Sequence, residues 1–148
     1  MLRAIVGFVI ALVIAFVSVI AGQYVVNMIF PLPKGLDVFD RAAVDAVFRA
    51  MPPSHFALIL LTYLLGGLLG GFAAIKIGQA AWPAWTVAVI IALTAALNVF
   101  TYPHPVWAQI GGIAAPLIGT WIALRLAGPI PVRDDYEDDA REPAHEEV

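Results

Sequence analysis

Residues 64–72 read Leu-Leu-Gly-Gly-Leu-Leu-Gly-Gly-Phe, an apolar run that carries four glycines. The run contains two overlapping pairs at a spacing of four residues, Gly66 with Gly70 and Gly67 with Gly71. Residues four apart share one face of a helix, and glycines there let the backbone of a second helix approach closely. The stretch therefore predicts a helix-packing seam of the kind that holds membrane helices together.

The whole chain carries too little charge for a typical water-soluble domain. Of its 148 residues, 61% are apolar and 13% are charged, whereas soluble domains carry about 25% charged residues. A water-soluble fold of this length could not bury so much apolar surface, so we expect the chain to be solvated by lipid.

Four apolar segments are long enough to cross a bilayer, and we predict them at residues 4–30, 56–75, 84–101 and 106–124. Pro103 and Pro105 separate the last two, because neither proline lets a helix continue. A cleaved secretory signal is the alternative for the first segment, but its apolar run is longer than such signals require. Since backbone polar groups in lipid must bond within their own segment, the predicted fold class is all-α, a polytopic four-transmembrane-helix bundle over residues 1–127.

Small residues recur at spacings of three and four in all four predicted spans. The glycines expected to mediate helix packing are Gly66, Gly67, Gly70, Gly71, Gly111 and Gly119. A seam of this kind serves either a neighbouring helix of the same chain or a second copy, so a compact bundle and a homo-oligomer both stay open.

The segment between the first two spans is predicted to form an external amphipathic helix over residues 37–51. Charges of alternating sign recur every four residues from Asp37 to Arg49, and apolar side chains such as Phe39 and Phe48 occupy the other face. Pro52 and Pro53 end the pattern. We expect this helix to lie on the membrane or on top of the bundle.

The charge distribution predicts the orientation. Residues 133–148 hold eight acidic and two basic residues, a net charge of −6, and the preceding residues hold three acidic and six basic ones, a net charge of +3. The side of both termini has four cations near span ends, and the opposite side has three: Arg3, Lys76, Arg125 and Arg133 against Lys34, Arg41 and Arg49. This small excess, together with the first-helix Arg3, the N-terminal amine and the charged tail, favours cytoplasmic termini in a bacterial inner membrane. Residues 128–148 are predicted to be a disordered acidic cytoplasmic tail. No basic stripe is present, so nucleic acid is not an expected partner.

Uncharged polar residues gather toward the outer ends of the predicted spans. The candidate members of an outward-facing polar vestibule are Gln23, Asn27, Tyr63, Asn98, His104 and Gln109. The alternatives are that these groups hydrogen-bond between helices or simply lie at the membrane interface.

The sequence lacks the residues that several kinds of catalysis and cofactor binding require. The chain has no cysteine, which removes disulfides and thiol catalysis. The spans hold no charged side chain for a proton relay, no histidine pair for haem and no base beside Ser18. His55 and His104 share the outer side, but no close ligand spacing predicts a metal site. We expect no catalytic residue, no cofactor and no metal.

Four motifs carry a resemblance to a known family. They are Pro31-Leu32-Pro33-Lys34-Gly35-Leu36-Asp37, Met51-Pro52, the glycine pairs of residues 66–71, and Pro103-His104-Pro105-Val106-Trp107. Over residues 1–127 the chain resembles small four-span bacterial inner-membrane proteins that have no assigned activity. The resemblance implies a four-helix membrane fold and assigns no role to any residue.

Two functions remain as the main expectations, beside a minor third class, an interfacial enzyme that uses His55 or His104 as a base on a lipid-like substrate. The first is a non-enzymatic structural or accessory component of the inner membrane, with the lipid bilayer and a second copy or another membrane protein as partners. The alternative is a small oligomeric permease or channel that passes a neutral or weakly polar solute through the vestibule.

Overall fold

The computed structural model describes residues 2–129, and these form five helices and no strand. The helices are α1 (Leu2–Ile29), α2 (Arg41–Ala50), α3 (Pro53–Gly78), α4 (Ala81–Thr101) and α5 (Val106–Ala127). All except α2 are long and apolar enough to cross a membrane. The predicted tail covers residues 128–148, and from residue 130 onward it lies outside the described residues.

Helix α2 begins later than the sequence pattern predicts. Asp40 caps it, because its Oδ1 accepts hydrogen bonds from the backbone N–H groups of Ala42 and Ala43 at 3.0 and 3.2 Å. Asp37, at which the predicted helix begins, instead accepts a hydrogen bond from the N–H of Phe39 in a local turn. The predicted start at residue 37 is therefore wrong by four residues.

The connection between α3 and α4 is shorter than predicted and spans only Gln79 and Ala80. Gln79 ends α3 in the left-handed conformation, with φ of 52°, and its N–H donates to Ile75 O at 2.9 Å. Pro83 does not delay the start of α4. It lies in the first helical turn, where a backbone N–H has no acceptor within the helix.

The four long helices form a closed ring in the order α1, α3, α5, α4. Helices α3 and α4 also contact each other across the short diagonal, whereas no contact between α1 and α5 exists among the described residues. Helix α3 runs antiparallel to α1 and parallel to α5. Helices α3 and α4 each touch the other three long helices, and the contacts of α3 with α1 and α5 are the most extensive in the bundle. We call the end where α1 begins the amino-terminal end and the opposite end the α2 end.

The glycines of residues 66–71 give α3 this central position. Successive residues on a helix are about 100° apart, so the two glycine pairs lie on neighbouring faces. Gly66 and Gly70 pack against Ala15 of α1, whereas Gly67 lies directly against the backbone of Pro116 in α5. Gly71 lies beside Thr120 of the same helix. The two pairs therefore serve two different partners within one chain.

Helix α5 also contributes small residues to its contact with α3. Gly119 lies against the backbone of α3 at Leu64, and Gly111 lies against the end of the Leu60 side chain. Thr120 is fully buried, and its hydroxyl donates a hydrogen bond of 2.9 Å to Gly67 O. The core around these contacts consists mainly of alanine, because close backbones leave little room for larger side chains.

Two cationic side chains hydrogen-bond to helix ends at the amino-terminal end of the bundle. The Nε–H of Arg3 donates to Ile77 O at 3.0 Å, and Nζ of Lys76 donates to Ala127 O at 3.0 Å. Both acceptors are carbonyls in the last turn of a helix, which have no partner within the helix. A positive charge there also interacts favourably with the helix dipole.

Candidate functional site

A cavity of about 240 Å³ lies at the α2 end of the bundle. Helices α1, α3 and α4, the segment that follows α1, helix α2 and the turn between α4 and α5 all contribute to its wall. The polar side chains in this wall are Gln23, Asn27, His55, Asn98, Tyr102 and His104. The apolar ones are Val26, Leu32, Leu36, Val38, Val44, Phe48 and Ile59.

Helix α2 covers the cavity without close backbone contact to any other helix of the described residues. Among residues 2–129, no Cα atom of α2 comes within 8 Å of a Cα atom in another helix. Val44 is its buried residue, and Phe48, one turn later, stacks on Tyr102 with ring centroids 5.2 Å apart and planes at 11°. Offset stacking of this kind is a favourable aromatic arrangement. Val44 and Phe48 therefore dock α2, whereas Phe39, which we placed on the apolar face, is 91% exposed.

His55 lies at the centre of an aromatic cluster in the cavity wall. Its ring meets Phe30 and Phe56 edge-on, at centroid distances of 5.5 and 5.2 Å, and meets Phe48 at 6.3 Å. These contacts connect the end of α1, helix α2 and the start of α3. The imidazole therefore joins three elements through ring packing.

The same ring carries an unpartnered polar atom. His55 is only 4% exposed, and its Nδ1 has no hydrogen-bond partner within the described part of the chain. A buried nitrogen without a partner costs about 1–3 kcal/mol. Phenylalanine would fill a similar space without this cost, so packing alone does not account for a histidine here.

The carboxamides of the predicted vestibule divide into two groups. Gln23 donates from Nε2 to the hydroxyl oxygen of Tyr63 at 3.3 Å, a hydrogen bond between α1 and α3. The side chains of Asn27 and Asn98 make no hydrogen bond of this kind to any group in residues 2–129, and both line the cavity. Tyr63 is 2% exposed and lies below the cavity wall, within the core.

Gln109 has a local role that the sequence did not suggest. Its Nε2 donates to His104 O at 2.8 Å, so it stabilises the turn between α4 and α5 and does not line the cavity. His104 Nδ1 lies 2.8 Å from Tyr102 O. A carbonyl oxygen can only accept, so Nδ1 of His104 carries the proton, and in the neutral ring Nε2 is left as an acceptor.

The predicted vestibule therefore comes together in part. Gln23, Asn27, Asn98 and His104 share one cavity, whereas Tyr63 and Gln109 lie behind its wall or beside it. The sequence analysis missed Val44 as a docking residue, and it considered His55 as a metal ligand or a base but not as a packing residue. Burial and aromatic contacts single out His55, and neither is visible from residue spacing.

As far as residues 2–129 form it, the cavity wall contains no Asp, Glu, Lys or Arg, and its only ionisable groups of ordinary basicity are imidazoles. Among the described residues, no group of three histidine or carboxylate side chains is placed to hold a metal ion. What the wall offers is a set of amide and imidazole hydrogen-bonding groups on an apolar surface. Such a wall suits recognition of an uncharged molecule.

The fold and the cavity define an all-helical bundle with four long apolar helices and a recess closed by a short fifth one. Comparison with family models, with curated proteins and with solved structures finds no match to this chain. The resemblance to four-span inner-membrane proteins therefore stays a prediction.

Proposed function

We propose that this chain is a multi-pass membrane protein that acts as a non-enzymatic structural or accessory component of the bacterial inner membrane. The observation that carries the membrane placement is the apolar surface of the long helices. Their exposed side chains include Val13, Val17 and Ile20 of α1, Leu93, Leu97 and Phe100 of α4, and Ile110 and Ile118 of α5. Apolar surface on this scale is far larger than the patches that soluble monomers expose.

The orientation follows from the charges near the helix ends. Arg3, Lys76 and Arg125 lie at the amino-terminal end, where the guanidinium of Arg125 also lies 5.3 Å from the Trp121 ring. Cations close to span ends favour the cytoplasmic side. The amino-terminal end of the bundle, and with it both chain termini, is then cytoplasmic, and α2 and its cavity face outward.

A scaffold is favoured over a conduit because the middle of the bundle is filled. Below the cavity lie Tyr63, Ile91 and Val87, all 2% exposed or less, and below them the glycine contacts of α3. A solute path through one chain would have to separate helices that touch backbone to backbone. The small-residue seams are used within the chain, so contacts with a second copy or another membrane protein would use the apolar side chains that the long helices expose.

The absence of cysteine makes the topology directly testable. Lys34→Cys, between α1 and α2, should react with a membrane-impermeant maleimide in intact spheroplasts. Pro129→Cys, just after α5, should react only after permeabilisation. Equal labelling of both in intact spheroplasts, or a folded protein in the aqueous fraction without detergent, would overturn the proposal.

A permease or channel is the second candidate, and the polar cavity is the observation in its favour. Liposomes that contain the purified protein should show no increase in glycerol or urea uptake if the scaffold proposal is right. Uptake that increases with the wild type, is lost in Asn98→Leu and is kept in Thr94→Val would favour transport. Thr94 is a suitable control because its hydroxyl bonds Ile90 O of its own helix and it does not line the cavity.

A further inference from the structure

The segment between α1 and α2 ends in two protruding apolar side chains, Val38 and Phe39, which we call the tip. Phe39 is 91% exposed and Val38 is 58% exposed. Val44 and Phe48 already dock α2 on the bundle, so the tip is not needed to hold that helix. What covers the tip depends on the surface that it adjoins.

The tip lies beside the end of α4. Val38 and Phe39 line one recess together with Thr101, the last residue of α4, and Tyr102. Phe100, in the same helical turn, is 83% exposed. The tip therefore extends the exposed apolar surface of α4 beyond the end of the helix, and adjoining apolar side chains of this kind mark an interaction surface.

The length of α4 gives the depth of this surface in a membrane. Trp82 lies in the first turn of the helix and is half-exposed, and Tyr102 follows its last residue. The rise from residue 82 to residue 102 is about 30 Å, which is also the thickness of the hydrocarbon core. Trp and Tyr are enriched at the two membrane interfaces. A bilayer placed on these two residues puts the tip at the outer boundary between acyl chains and headgroups.

The charges around the tip do not favour an electrostatic attachment. Residues 31–51 carry a net charge of zero, from Lys34, Arg41 and Arg49 against Asp37, Asp40 and Asp45. Segments that bind anionic lipid carry a cluster of about four or more cations. A membrane contact of the tip would therefore depend on its apolar side chains and not on lipid charge.

We propose that Val38 and Phe39 enter the outer leaflet of the bilayer beside Phe100 and anchor the segment before α2 at the headgroup–acyl boundary. The proposal rests on the membrane placement and orientation proposed above, and it names a lipid surface as the partner of this segment. The anchor and the docking of α2 use different residues, because Val44 and Phe48 hold the helix itself.

The test measures the depth of a fluorescent label at the tip. The chain has no cysteine, so Val38→Cys gives one site for a nitrobenzoxadiazole maleimide and keeps Phe39. The full-length protein is placed in phosphatidylcholine vesicles that contain lipids with a nitroxide at acyl carbon 5 or carbon 12. Quenching from carbon 5 should be about twofold stronger, because interfacial anchors enter only about 5–10 Å.

Two reference sites separate this proposal from the membrane placement. Leu93→Cys, at a 60% exposed position about 14 Å below Tyr102 along α4, should be quenched more from carbon 12. Lys34→Cys, at an exposed position, should be quenched by aqueous iodide and little by either lipid. Without lipid quenching at residue 93, the membrane placement fails and the anchor with it. Lipid quenching at residue 93 and none at residue 38 would overturn the anchor alone.

Substitutions of Phe39 connect the depth of the label to the aromatic side chain. Phe39→Ser, added to Val38→Cys, should reduce quenching from carbon 5 to the level of Lys34→Cys. Phe39→Trp should keep the quenching, since tryptophan is favoured at the interface.

The composition of the vesicles tests the nature of the contact. Replacing phosphatidylcholine by phosphatidylglycerol should leave the order of quenching unchanged, because the segment has no net charge. Quenching that occurs only with phosphatidylglycerol would overturn the apolar anchor. So would a label at residue 38 that is protected from iodide but not quenched by lipid, because a second copy or another protein would then cover the tip.

Discussion

The two ends of this bundle pack in different ways. At the amino-terminal end and in the middle, helices touch through glycine and alanine, and Arg3 and Lys76 bond the helix ends. At the α2 end, large aromatic side chains hold the elements apart and leave a recess. Side-chain size decides where helices close on each other and where they leave a recess.

The largest effect should come from the closest helix contact. Gly67→Ala places a methyl group against the backbone of Pro116, which cannot rotate away as a side chain can. We expect the free energy of unfolding to fall by about 3 kcal/mol, measured by equilibrium unfolding in mixed micelles.

The matched control for this variant is Gly111→Ala. Its methyl group would meet the flexible end of the Leu60 side chain, so stability should change little. If the two variants were equally stable, backbone contact would not be what holds α3 in the centre.

The next effect tests the attachment of α2. Phe48→Ala removes the ring that stacks on Tyr102 and contacts His55. The opening free energy of α2 should fall by about 2 kcal/mol, which is roughly a 30-fold faster exchange of its amide hydrogens. The measurement is hydrogen–deuterium exchange by mass spectrometry.

The amides of α3 should keep their protection in this variant, because α2 contributes no backbone contact to the long helices in residues 2–129. Phe39→Ala is the control, since that side chain is 91% exposed. A loss of protection across the whole bundle would show that the two ends are one cooperative unit.

A smaller effect is expected from the buried hydroxyl between α3 and α5. Thr120→Val removes the hydrogen bond to Gly67 O and should lower the free energy of unfolding by about 1 kcal/mol, within the range for such bonds in membrane proteins. Thr94→Val loses only a bond within α4 and should change stability less. The same unfolding measurement in mixed micelles compares them, and a larger loss in Thr94→Val would contradict this account.

The smallest effect belongs to the cations. Lys76→Met removes an exposed hydrogen bond to Ala127 O and a cation–π contact with Phe72, whose centroid lies 5.5 Å from Nζ. Exposed charges contribute little, so the expected loss is about 0.5 kcal/mol. The measurement is thermal unfolding followed by circular dichroism. The control is Lys34→Met, which removes a lysine from the segment before α2 and should be more stable than Lys76→Met. If Lys76→Met lowered the free energy of unfolding more than Thr120→Val, the exposed cation would contribute more than the buried hydroxyl, contrary to this expectation.

The sequence by itself determined the parts that depend on local physics. Apolar runs of sufficient length specify four long helices, the two prolines around His104 separate the last two, and the glycine spacing places small residues on helix faces. The exact ends of the helices were harder to predict. For α2, Asp37 and Asp40 are both good capping residues, and only the surrounding chain geometry selects one.

The tertiary structure decided which surfaces meet. Nothing in the spacing of Gly66 and Gly67 says that one faces α1 and the other α5, because many helix pairings satisfy the same pattern of small residues. In the same way, only the folded chain takes Gln109 to a turn and brings His55 and Asn98 to one cavity. A periodic pattern fixes a face of one helix, whereas partner choice depends on how all helices fill space together.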